Sequence, residues 1–531
     1  MNERTRQGLK VLEAALLLGI LGDALLRGTP WGLNFALWVG VLAVAAFLAL
    51  PARRGRAAYN REGRWLIPVA LFFACALAWR DSLTLNALAF CATLVALALA
   101  AFIARGGPLR LAGVMDYALG LILAGFDAAF GVFALVFGDV RWKEIPRTGW
   151  SKHALAVARG LLIAAPLLLI FGGLLTAADA VFEGLVNKTL NINPEKIFGH
   201  AFLVVFFGWV AGGFLRGMFF AKSVTWKDVM RAASLVPAQP TTIGAGAQKN
   251  DVGGEAAPGH RRVSLGITEI GVVLGLLDAL FLAFVLVQIH YFFGGAALAK
   301  ATPGLTYAEY ARRGFFELVW VAALALPLLL AAHWLVRKEN PLHERVFRAL
   351  AGGMVALLFV IMASALGRMR VYQSGYGLTE LRLYTTAFMF WLAAVFVWFV
   401  LTVLRGQRER FACGALVTAF VAVAALHLIN PDAMIVRANL DRLRDRHDFD
   451  AVYAASLSAD AVPVLVRDSP GMSEQERCVV SRNLLDKWSQ PGTDWRTWNW
   501  SRREARARVG ENVEVLRALA CAPQSQTTSG P

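Results

Sequence analysis

Charge is what this sequence has least of. Only 17% of its 531 residues are Asp, Glu, Lys or Arg, where a soluble domain averages about 25%. The deficit is uneven. Stretches such as WGLNFALWVGVLAVAAFLAL, Trp31 to Leu50, carry no charge at all. A helical run of about 20 apolar residues matches the roughly 30 Å hydrocarbon core of a bilayer. A single soluble globule is excluded, and the chain reads as a polytopic membrane protein.

Cysteine is also scarce, with five in all. Cys75, Cys91 and Cys413 fall in apolar runs and read as small core residues. Cys478 and Cys521 lie in the polar C-terminal region and form a candidate disulfide, which requires that region to lie outside a reducing compartment. No cysteine belongs to a CxxC or a Cys/His spacing, and no His/Asp/Glu cluster has metal spacing, so neither metal nor cofactor is expected. Enzyme signatures are missing as well: there is no GxSxG, HExxH or P-loop. No catalytic residue is assigned. A lipid-linked sugar transferase wants acids on a substantial first external loop, and this one is little more than RGTPW. A histidine kinase needs a soluble nucleotide-binding domain, and the tail has no glycine-rich phosphate site. A cleavable signal peptide is not expected either: the first apolar run holds Glu13 and Asp23 and lacks a small-x-small site, so it reads as a retained span.

What is present is a series of apolar runs, at 9–26, 31–50, 65–79, 82–104, 111–138, 154–178, 199–220, 266–290, 315–336, 347–366, 383–404 and 411–429. Each should be a helix, because lipid leaves backbone groups no partner outside a helix or a closed barrel and the runs do not alternate with period two. The fold class is therefore all-α: a membrane bundle of about 11–13 transmembrane helices with a small helical C-terminal extramembrane domain. The domain division is 1–220 for the first helices, 221–263 for a Pro/Gly/Ala-rich flexible loop, 264–429 for the later helices and 430–531 for the tail.

The formal charge of +16 is explained by Lys and Arg gathering in loops that face the cytoplasm and anionic lipid. Nucleic acid is not an expected partner. Membrane lipids are, and another membrane protein is a further candidate. Arg4, Arg6, Lys10 and the arginine-rich second loop place the N-terminus in the cytoplasm. Counting twelve spans puts the later basic loops outside. The run 111–138, with Gly120, Gly125 and Gly131, offers a way out if it is a broken helix that enters and leaves on one side. Eleven crossings then leave the tail periplasmic; one tilted helix gives twelve and a cytoplasmic tail.

Asp116 and Asp127 in that run, with Asp278, are candidate intramembrane acids, since a carboxylate in lipid costs roughly 2.5–3.5 kcal/mol on insertion scales. Glu13, Asp23, Arg159, Asp179, Glu269, His290, His333 and His427 are further polar residues in or near spans. Together they suit either a cation or proton path or structural ion pairs, such as Asp127 with Arg159. In the tail, Ser473 and Glu476 carry a capping-box pattern, and a final helix is expected from about Trp500 to Ala520.

Between two late spans sits GRMRVYQSGYGLTELRLY, dense in Arg and Tyr. If YGLTELRLY opens the next helix, Tyr376, Glu380 and Tyr384 share a face at i, i+4, i+8, with Thr379 as cap and Glu380 paired to Arg368, Arg370 or Arg382. The joint suits a polar knot, a pocket for an anionic headgroup or glycan, or a structural hinge. This stretch, followed by NPDAMIVRANL and YAASLSADAVPVL, resembles a bacterial polytopic membrane family of unknown function (DUF4173-like, related to DUF4153). The resemblance covers roughly the C-terminal half. It implies an inner-membrane protein with Tyr376, Gly377, Glu380, Arg382, Asn430, Pro431, Asp432 and Asn439 as signature positions, and no catalytic residue. The expected role is non-enzymatic, transport-like or in envelope signalling. The alternatives are an enzyme on a lipid or lipid-linked substrate, and a structural subunit of a membrane complex.

Overall fold

The computed structural model describes residues 1–49, 65–107, 112–144, 194–220, 224–225, 228–229, 266–300, 315–336, 341–444, 449–492 and 494–520. The expected span 154–178, with Arg159 and Asp179, and most of the flexible loop lie outside the described residues. The described chain is an all-helical bundle carrying a helical tail, and its long apolar helices make it a multi-pass membrane protein.

The helices are α1 Glu3–Leu26, α2 Leu33–Ala49, α3 Leu66–Trp79, α4 Leu83–Ala104, α5 Val114–Ala134, α6 Pro194–Phe220, α7 Ile267–Lys300, α8 Phe315–Leu335, α9 Pro341–Tyr376, α10 Glu380–Thr402 and α11 Phe411–Ile429. The tail adds α12 Pro431–Arg444, α13 Ala451–Ser456, α14 Val462–Asp468, α15 Glu474–Trp488, α16 Trp500–Glu511 and α17 Val513–Leu519. The capping box at Ser473 and Glu476 starts α15. The final helix is two, separated at Asn512.

Two apolar cores fill the bundle. One joins α1 to α6 and includes Leu18, Phe73, Leu99 and Leu215; the other joins α7 to α11 and includes Leu329, Met354, Phe396 and Phe399. Helix α11 stitches them, since its Phe411 belongs to the second and its Phe420 to the first. A third core, with Val436, Leu465, Val480 and Val509, holds the tail and takes in Leu383 from α10. About 100 residues can bury a core of their own only marginally, and borrowing Leu383 roots this one in the bundle. Cys75 and Cys91 point outward instead of packing in the core, and Cys413 is half-buried. In a membrane bundle the outward face is apolar too, so hydrophobicity alone does not say which way a small residue turns.

The tail end of the bundle gathers the α1–α2 and α3–α4 loops, the end of α9, the start of α10 and the end of α11. The opposite end gathers the first turn of α1, the residues after α4 and the α10–α11 turn, where Gly406 faces Arg348 of α9. Glycine does not break α5; it runs unbroken into a π-helical turn at Leu135–Asp139. Yet its anchors share one end. Gly120 lies against Phe102 in the last turn of α4, Asp127 pairs with Arg105 just beyond that turn, and Asp139 pairs with Arg4 in the first turn of α1. Helix α9 has 36 residues, about 54 Å of helix, and so outruns a hydrocarbon core at both ends.

Small residues allow α1, α5 and α6 to approach closely, the usual route to tight packing where lipid removes the hydrophobic incentive. A Cβ on Gly208 would sit 3.0 Å from the Ala15 carbonyl, and one on Gly213 would collide with the carbonyls of Asp127 and Ala128. The neighbour at Gly213 is backbone and has no rotamer to yield. Gly213→Val should therefore cost about 1–3 kcal/mol or more, read as a lowered melting temperature of the detergent-solubilised protein. Gly125→Ala, with nothing within 4 Å of its Cβ, should leave it unchanged.

Candidate functional site at the junction of bundle and tail

Four helices end at the tail, and a helix C-terminus leaves carbonyls without partners. Side chains supply the donors. Arg496 donates to Ala24 O at the end of α1, 2.8 Å away. Asn499 donates to Leu77 O and Arg80 O, and Ser501 to Trp79 O, closing α3 at 2.8, 2.8 and 2.9 Å. Arg442 closes α9 through Ser374 O and Gly375 O at 3.0 and 2.9 Å. Arg80 Nε closes α11 through His427 O at 2.9 Å. Cationic donors suit these ends, because the helix dipole is negative there.

The cations are answered by a buried carboxylate. Asp460, 4% exposed, sits in the short turn before α14. It accepts from Arg80 Nη1 at 3.2 Å, from Asp81 N and Ser82 N at 2.7 and 3.1 Å, and from Ser501 Oγ and Ser458 Oγ at 2.6 and 3.2 Å. Beside it Arg502, 6% exposed, pairs with Asp81 at 2.7 Å and donates to Trp31 O at 3.0 Å. Burial holds the Asp81 carboxyl above its usual range even against that arginine. The α3–α4 segment WRDS thus bonds to two parts of the tail, the turn at Ala459 and Asp460 and the start of α16.

The YGLTELRLY joint adjoins this node. Tyr376 is the last residue of α9 and α10 begins at Glu380, so Tyr376 does not share a face with Glu380 and Tyr384 as the continuous reading requires. The turn between them needs Gly377, whose φ is +76° and whose Cβ would meet Asn439 Oδ1 at 2.6 Å. Asn439 pairs with Leu378 both ways, accepting from its N–H at 2.7 Å and donating to its carbonyl at 2.9 Å. Thr379 stands at the cap position without a side-chain cap bond. Arg382 turns back to the Tyr376 and Gly377 carbonyls and lies 4.1 Å from the Tyr372 ring centre. Among the described residues Glu380 forms no ion pair with arginine; its N–H donates to Tyr453 Oη at 2.9 Å. The expected Glu380 pair is replaced because both Arg382 and Arg442 serve the carbonyls at the end of α9. Arg368 and Arg370 fall within α9.

The NPD turn lies at the same end of the bundle. Asn430 closes α11 with φ 57°, the left-handed conformation that asparagine tolerates, and Pro431 opens α12. Asp432, 1% exposed, accepts from the Ser458 hydroxyl and N–H, and its Oδ1 is buried with no partner among the described residues. Burial, Glu380 and Asp460 push its carboxyl up to about 6. Tyr384 bonds to Ser82 at 3.2 Å. His427 is fully buried, with Nδ1 on Val423 O at 2.8 Å and Nε2 without a partner among the described residues.

The candidate intramembrane acids separate. Asp116 caps the start of α5. Asp127 meets Arg105 at 2.5 Å and Arg216 at 3.6 Å, not the expected Arg159, which lies outside the described residues. Arg216 also bonds Asp139 at 2.8 Å, and Arg4 completes the set at 2.6 Å. Asp278 stands apart on α7, half-buried, with Oδ1 unpartnered among the described residues and Gly353 opposite. Cys478 is disulfide-bonded; Cys521, the expected partner, lies outside the described residues. No group of three or more metal-ligating side chains occurs among the described residues.

Sequence reasoning passed over Asp81, Asp460, Arg80, Arg502, Asp139 and Arg216. Arg216, alone inside an apolar run, was a readable signal. Asp460 was not, because nothing in a polar tail marks one aspartate as the buried one.

Two outcomes follow. Asp460→Ala strands Arg80 and two buried N–H groups, and should cost about 3–5 kcal/mol, seen as faster proteolysis of the tail at unchanged membrane insertion. Asp432 has a raised folded-state pKa, so its contribution to stability is complete below the unfolded value of 3.8 and is lost as pH rises through about 6. The melting temperature should therefore rise between pH 7.5 and 5.5, and Asp432→Asn should flatten that rise.

No curated protein and no solved structure matches the chain. The family model described as Domain of unknown function (DUF4153) matches residues 66–467, from the start of α3 to the end of α14. The match reaches well upstream of the joint and contains WRDS, the joint, the NPD turn and Asp460, and it covers well over half of the sequence. By that match the chain belongs to the DUF4153 family.

Proposed function

We propose that this is a non-enzymatic envelope-signalling protein of a bacterial inner membrane, in which the tail senses and the bundle responds. The carrying observation is that one buried carboxylate, Asp460 of the tail, is held by Arg80, Asp81 and Ser82 of the α3–α4 loop. A tail tethered by a flexible linker would transmit nothing. One locked to a loop between two membrane helices passes any displacement to α3 and α4. The N-terminus is cytoplasmic and the tail periplasmic. Support comes from the ends of the helices: the arginine-rich turn at 403–410 lies at the N-terminal end. The anchors of α5 at that same end favour eleven crossings, and a half-cystine at Cys478 suits an oxidising compartment.

A second reading, cation- or proton-coupled transport, is favoured by Asp278, an acid with an unpartnered buried oxygen inside an apolar helix. One comparison separates the two. In a strain deleted for the gene and challenged by osmotic or detergent stress, Asp460→Ala should fail to complement and Asp278→Asn should complement fully. The reverse pattern would sink signalling and favour transport. Topology is checked by labelling intact cells with an impermeant maleimide after mild reduction: Cys478 should react without permeabilising the inner membrane.

A further inference from the structure

Most arginines of the tail end have work inside the protein; two on α16 do not. Arg503 and Arg506 line a cavity of about 520 Å³ walled by Trp488, Trp495 and Trp498. The acid in that lining, Asp494, is already paired with Arg496 at 2.7 Å. Arg503 and Arg506 have no side-chain hydrogen bond or ion pair among the described residues, and Arg506 Nε is buried without a partner. Arg506 lies 6.0 Å from the Trp488 ring centre, so its guanidinium is oriented by an aromatic face.

The depth of the cavity is fixed by its neighbours. Trp498 O accepts from Leu33 N at the start of α2, at 2.9 Å, and Arg496 reaches Ala24 O at the end of α1. These are the points where two apolar helices stop, which is headgroup depth. Trp495, 63% exposed, is at the rim, and tryptophan belongs at that level.

We propose that this cavity binds a phosphate-bearing anionic headgroup, with Arg503 and Arg506 donating to the phosphate oxygens and the tryptophans covering its apolar flank. Guanidinium forks match phosphate in geometry as well as charge, and two arginines lacking counter-charges supply the electrostatic half of the site. The site lies beyond residue 467, outside the family match.

The test uses the full-length protein in neutral detergent and its tryptophan fluorescence. Dihexanoyl phosphatidylglycerol, added below its micellar concentration, should give a saturable change, and the phosphatidylcholine of equal chain length should not. The double variant Arg503→Gln/Arg506→Gln should weaken the phosphatidylglycerol Kd by about tenfold or more. Arg503 is exposed, so Arg503→Gln alone decides the matter if the double variant loses helical circular dichroism. Inorganic phosphate distinguishes the source: failure to compete assigns a lipid headgroup, and saturation of the same change with displacement of the lipid assigns free phosphate. Equal binding of the two lipids, or wild-type affinity in the arginine variants, overturns the proposal.

Discussion

Helix ends that point at the tail carry carbonyl groups with no intrahelical partner, and everything at that end of the molecule answers to them. Four such ends, those of α1, α3, α9 and α11, crowd into one face. Water is one way to satisfy them, but their neighbours are apolar helices and tightly packed loops. The chain uses arginine and asparagine instead: Arg496, Asn499, Arg442 and Arg80 each reach one end. Several guanidinium groups near one another repel, and the neighbouring Arg502 is buried. Asp460 and Asp81 supply the compensating charge: Asp460 of the tail accepts from Arg80 of the bundle and Ser501 of the tail, and Asp81 of the bundle accepts from Arg502 and Ala459 of the tail. The tail is thus the bundle's cap, and the network that fixes it is a consequence of helix direction.

The opposite end solves a related problem with the signs of supply reversed. Asp127 of α5 and Asp139 of the π-helical turn after it lie among apolar helices, and Arg105, Arg216 and Arg4 converge on them from the residues after α4, from α6 and from α1. Glycines at 131, 208 and 213 permit the approach that makes these pairs short. Two charged clusters, one at each end, clamp a middle that is apolar. A slip of α1 against α6 by one turn would break the carboxylate contacts at the N-terminal end and the Arg496–Ala24 cap at the other. Apolar side chains in lipid gain little from one register over another, so the ionic ends are what select it.

How much of this was legible in the sequence depends on the scale of the question. The apolar runs announced membrane helices because hydropathy reports solvent directly, and the capping box of α15 was readable because its two partners are three residues apart. The joint was legible as a special place: an accumulation of Arg and Tyr beside Gly377 in an apolar chain has to be doing something polar. Its wiring was not. Glu380 beside three arginines suggested an ion pair, but the carbonyls at the end of α9 compete for the same donors, and they exist only once α9 is known to stop at Tyr376. Asp460 was unreadable for a deeper reason. Its partners lie in loops almost 380 residues away, and no local pattern encodes such a distance.

The family match ends at residue 467, yet three of the side chains that complete the junction, Asn499, Ser501 and Arg502, lie beyond it. The matched segment contains the demand, namely the α3 terminus, Asp81 and Asp460; the segment after it contains much of the supply. Any chain sharing residues like Asp81 and Asp460 faces the same buried charges and must meet them with donors of its own, whether from a tail like this one or from another protein. In this chain the terminal helices meet that demand. That accounts for two arginines on α16 free to serve something other than the fold: Arg502 discharges the structural obligation one residue before Arg503, and with it met, the next turn of helix is available for a ligand.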